Sequence, residues 1–135
     1  MATLGSSVTL SSGPSQQVTA GASVTAGQVV YRDTDGRYDP ADADASAAAA
    51  AAVGVALNSA AANQPLNIAT AGALLANCSG LLAGQIYCVA SAAGDCEAHS
   101  ALTDDTDYVT IVGVALSTTT IKLIMVASGV VINLA

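Results

Sequence analysis

Val53-Gly54-Val55-Ala56-Leu57-Asn58-Ser59 returns further along the chain as Val112-Gly113-Val114-Ala115-Leu116-Ser117-Thr118. That return decides how the rest is read. Upstream of it, Ala26-Gly27-Gln28-Val29-Val30-Tyr31 has its counterpart in Ala83-Gly84-Gln85-Ile86-Tyr87. Downstream, Ile68-Ala69-Thr70-Ala71-Gly72-Ala73-Leu74 is matched by Met125-Val126-Ala127-Ser128-Gly129-Val130-Val131, and Gly36 corresponds to Gly94. The offsets are 57, 59, 57 and 58 residues, in the same order throughout. The sequence is an internal duplication, with repeats over about 18–75 and 76–135 that form a single β domain.

Each copy reads as β structure, because short β-branched runs alternate with turn chemistry. The run 27–31 leads into Asp33-Thr34-Asp35-Gly36, whose Asp and Gly residues tolerate the positive φ of a hairpin turn. Residues 37–39 then return antiparallel and bring Tyr31 near Tyr38. Strands follow over 53–58 and 66–70, joined by a polar turn at 60–65. In the second copy the strands fall over 86–90, 109–116 and 121–127, with turns at 92–95 and 117–120. Turns at such close spacing predict an all-β fold, a two-repeat β-barrel or β-sandwich whose halves close over one core. Residues 40–52 break the pattern. Six consecutive alanines give this stretch high helix propensity, and Ser46 or Asp44 supplies an N-cap, so a short Ala-rich helix is expected before the strand at 53. Residues 1–17, rich in Ser, Gly and Gln, read as a flexible, extended N-terminal arm that orders on a neighbour.

Composition bears on partners. Of the 135 residues 53% are hydrophobic, but thirty of these are alanine and there is no Phe or Trp. Few large anchors mean modest burial energy per residue, so the lone subunit is expected to gain stability from partners. Only 10% of residues are charged, and the net charge is −7. Nucleic-acid binding needs clustered Lys and Arg, and anionic membranes need the same, so neither is expected. A surface this poor in Lys and Glu is expected to be covered in part by other subunits. The N-terminal residues lack the basic and apolar regions of a secretory signal, and no run approaches the ~20 apolar residues of a membrane span.

The catalytic inventory is thin. His99 has Ser100 and Glu97 beside it, yet nothing resembles a nucleophile elbow or an oxyanion loop. A surface histidine on a hairpin is expected. Residues 21–27 lack the lysine and glycine spacing of a phosphate loop. Cys78, Cys88 and Cys96 are spaced ten and eight apart, which fits no zinc pattern, and they are expected as free buried thiols. Two acidic groups, Asp33, Asp35, Asp39, Asp42 and Asp44, then Asp104, Asp105 and Asp107, read as solvated turns, with weak calcium binding as the alternative. Tyr31, Tyr38, Tyr87 and Tyr108 are expected to supply the largest core or interface contacts. No catalytic, cofactor or metal residue is assigned, and no enzyme activity is expected.

The order Ala26-Gly27-Gln28-Val29-Val30-Tyr31, Asp35-Gly36-Arg37, an Ala/Asp-rich stretch, Val53-Gly54-Val55-Ala56-Leu57, a strand ending at Gly72, and Gly84-Gln85-Ile86-Tyr87 resembles the capsid decoration (cement) proteins of tailed bacteriophages. The resemblance spans about residues 18–134. It implies a β-rich homotrimer on the outer capsid surface of the virion, made in the host cytoplasm. Its partner would be the major capsid protein, whose contacts it stabilises without chemistry. The alternative is a receptor-binding or fibre-tip module of a phage particle, which predicts attachment to host cells or glycans.

Overall fold

The structure, a computed structural model, describes residues 2–101 and 106–132. It is a sandwich-like all-β fold, not closed into a barrel. One sheet is built from β2 (Ser15–Thr19), β3 (Val29–Arg32), β4 (Tyr38–Pro40), β5 (Gly54–Ala56) and β6 (Pro65–Thr70), in the order β2-β6-β5-β3-β4. The other contains β1 (Thr9–Ser12), β7 (Leu74–Ala76), β8 (Ile86–Val89), β9 (Cys96–Ala98), β10 (Tyr108–Ala115) and β11 (Ile121–Val131), in the order β1-β7-β11-β10-β8-β9. With β1 set aside, the two orders are the same order written twice. We call these the first and second sheets.

The match extends to individual hydrogen bonds. Gly27 N–H donates to Ala56 O at 2.9 Å, as Gly84 N–H does to Ala115 O at 2.8 Å. Ala56 N–H donates to Gln28 O at 2.9 Å, as Ala115 N–H does to Gln85 O at 3.0 Å. The glycine of the Val-Gly-Val-Ala motif has the same duty in both copies, because a neighbouring strand passes too close for a side chain. A Cβ on Gly54 would lie 2.6 Å from Ala69 O, and one on Gly113 would overlap the carbonyl of Lys122.

The copies nevertheless pack differently. Val29 stands opposite Val55 in the first sheet, and both are fully buried between the sheets. The equivalent pair, Ile86 and Val114, lies on the outer side of the second sheet, where Ile86 is 43% exposed. A one-residue change of face in a strand moves every side chain across the sheet. The second sheet therefore turns its Tyr87, Ala115 and Leu123 side to the shared core, while the corresponding side of the first sheet carries Val30, Ala56 and Ile68. Those three residues form a second cluster under the segment around Val24, which is tied to Ala60 by two backbone bonds of 2.8 and 2.9 Å.

Three expectations need correction. The first concerns the arm expected over residues 1–17, of which the described residues 2–17 are not free. Ala2 and Cys96 exchange backbone hydrogen bonds of 3.1 and 2.8 Å, Leu4 N–H donates to Gly27 O, and Ser79 N–H donates to Leu4 O. Leu4 and Val8 belong to the core, and β1 and β2 edge the two sheets. The composition concealed this because a few apolar side chains among serines are enough to anchor a strand. The second concerns the hairpin. It closes through Gly36 N–H to Asp33 O, but its register places Tyr31 against Asp39 and Arg32 against Tyr38. Tyr31 and Tyr38 therefore lie on opposite faces. The third is the barrel alternative, which the two separate sheets exclude.

The alanine run forms a single helical turn, α1 (Ala47–Ala50). Ser46 caps it, its Oγ accepting from Ala49 N–H at 3.0 Å, whereas Asp44 is turned toward Asp42. Propensity would extend the helix, but Val53 N–H bonds Val30 O and draws the chain into β5.

Truncating Leu4, which is 1% exposed, removes buried volume from the shared core. Leu4→Ala should cost about 2–5 kcal/mol. Urea unfolding measures this, and an unchanged midpoint would mean that the N-terminal segment contributes no burial. Gly54→Ala and Gly113→Ala should each cost at least ~1–3 kcal/mol through overpacking, in the same assay.

Candidate functional site

The residues that could carry chemistry are dispersed. His99 is exposed in a 3-10 turn (His99–Ala101), with Ser100 exposed beside it and Glu97 half-buried on β9. The nearest cavity, an open cleft of about 210 Å³, lies between the N-terminal segment and β8–β9 and is lined in part by Leu4, Leu81, Tyr87, Cys96 and Glu97. That is below the ~300–1,000 Å³ usual for small-molecule sites. Its phenol is already engaged, since Tyr87 OH accepts from Leu82 N–H at 2.9 Å.

The first acidic group is organised by local bonds. Asp33 Oδ1 accepts from Thr34 N–H at 2.7 Å. Asp35 forms an exposed ion pair with Arg37 at 2.8 Å, and hydrogen bonds from Arg37 hold its carboxyl below the ordinary range. Asp39 and Asp42 differ from the solvated residues expected. Both are half-buried, and burial raises each carboxyl, with Asp33 and Asp44 respectively adding to the effect. Asp39 Oδ1 is buried without a hydrogen-bond partner. Asp107 is also not in a solvated turn, being 2% exposed. Asp104 and Asp105 lie outside the described residues. Among the described residues no three His, Cys, Asp or Glu side chains are grouped to hold a metal ion.

All three cysteines are free and buried. Desolvation raises Cys78 and Cys88 to about 11 and Cys96 to about 12. A thiol held in its protonated form is a poor nucleophile, and here the sulfurs act as small core side chains. Of the tyrosines, Tyr38 and Tyr87 are buried and belong one to each cluster, while Tyr31 and Tyr108 are half-buried.

The prominent surface feature is one that the strand assignments did not reveal. The outer side of the second sheet presents Ile86, Ile111, Val114, Ile124 and Val126, with Leu116 at its end. Ile111 stands opposite both Val126 and Cys88, and Val114 opposite both Ile86 and Lys122. Exposures of Ile124, Ile86, Val126 and Leu116 run from 41% to 58%. The one cation on β11, Lys122, reaches sideways to Gly72 O at 2.7 Å. Ile111 and Val114 are half-buried and Cys88, opposite Ile111, is fully buried, so the exposed part of this face runs over Ile86, Ile124, Val126 and Leu116. The signal lay in the sequence: Ile111-Val112-Gly113-Val114-Ala115-Leu116 and Ile121-Lys122-Leu123-Ile124-Met125-Val126 are nearly continuous apolar runs, which mark strands buried on both sides.

Compared with known proteins, the chain matches no family model and no curated protein.

Two pH effects follow from the buried groups. The raised thiols favour folding below the unfolded value of 9.0, and this contribution is lost as the pH climbs through the folded values of about 11 to 12. Unfolding midpoints should therefore fall above pH 9, and Cys88→Ala should reduce the slope. For Asp39 the folded carboxyl is also raised, so the favourable linkage is present below 3.8 and lost as pH rises through the folded value. Asp39→Asn should accordingly stabilise the protein at pH 7, with the gain vanishing near pH 3. Thermal melts at the two pH values measure the difference.

Proposed function

We propose that this chain is a structural decoration, or cement, protein of a tailed-phage head, acting as a homotrimer on the outer capsid surface. It would be made in the host cytoplasm and bind the major capsid protein without catalysis. The observation that carries this reading is the aliphatic outer side of the second sheet, on a sandwich whose other apolar sides are covered. A surface of that kind works by exclusion of water. Its free energy scales with contact area, and many repeated contacts over a shell add avidity. The order of motifs across residues 18–134 supports a capsid as the setting. The backbone bonds that tie the two halves together support a clamp, since a clamp must resist deformation when capsid subunits pull apart.

The test is direct. Purified protein added to expanded phage shells lacking decoration should bind at saturable sites and raise the temperature at which the shells rupture. Shells that stay bare at micromolar protein would overturn the proposal.

A further inference from the structure

We draw no further inference here: the strongest candidate, the edge of β11 beyond Leu123 that pairs with no strand among the described residues, offers backbone groups to an added strand at the exposed end of the β10–β11 hairpin, but nothing in the structure shows what covers it.

Discussion

Val29, Val55 and Ala69 from one sheet share a single dry cluster with Tyr87, Val112 and Leu123 from the other, and the rest of the molecule is arranged around that contact. A chain without Phe or Trp must gather its burial energy in small increments, at ~25 cal/mol per Å² of apolar area. Small side chains contribute enough only when backbones approach closely, and the two motif glycines permit that approach. At Gly54 and Gly113 the space of a Cβ is already taken by a carbonyl from the adjacent strand. The Val-Gly-Val-Ala motif is repeated because the same steric demand is met twice.

Backbone bonds then lock the halves in place. Gly94, in a turn of the second half, donates to Ala41 O at 2.8 Å and accepts from Val29 N–H at 3.0 Å. Ala43 donates to Ala90 O and accepts from Tyr108 N–H. At the other side Leu4 bonds Gly27 of the first half and Ser79 of the second. Each of these satisfies a polar group that would otherwise be desolvated at a cost. The alanine-rich stretch matters here chiefly because Ala41 and Ala43, both fully buried, allow the chain to pass between the sheets.

Much of this was legible. The duplicated motif, the Asp-Gly hairpin and the turns place the strands close to where they lie, and Ser46 caps the alanine turn as its residue type allows. What escaped has physical causes. Hairpin register depends on how the turn closes, and a single residue put Tyr31 and Tyr38 on opposite faces. The role of the N-terminus rests on Leu4 and Val8, whose partners are distant in sequence and invisible to local patterns. The candidate surface escaped because halves that close over one core can do so through equivalent or through different sides. If they close through equivalent sides, both face inward, and then Ile86 would be buried like Val29. The tandem arrangement, closed through different sides, buries only one side of β10 and β11, which leaves their unbroken apolar runs half in the core and half on the surface.

That arrangement also bears on how such a chain can work as part of a larger assembly. A pair of halves joined through equivalent sides would be closed, with nothing left to offer. A pair joined through different sides leaves one of each at its ends, as any heterologous association does. Here one end is capped internally, where Val24 and Ala60 cover Val30, Ala56 and Ile68. The two halves therefore differ in what they expose: the outer side of the first sheet is covered from within, whereas that of the second sheet carries Ile86, Ile124 and Val126 at 41–50% exposure. The asymmetry between two equivalent halves thus keeps one chain from stacking on the next as its own halves stack, because the side that the second sheet's outer face would need is already covered.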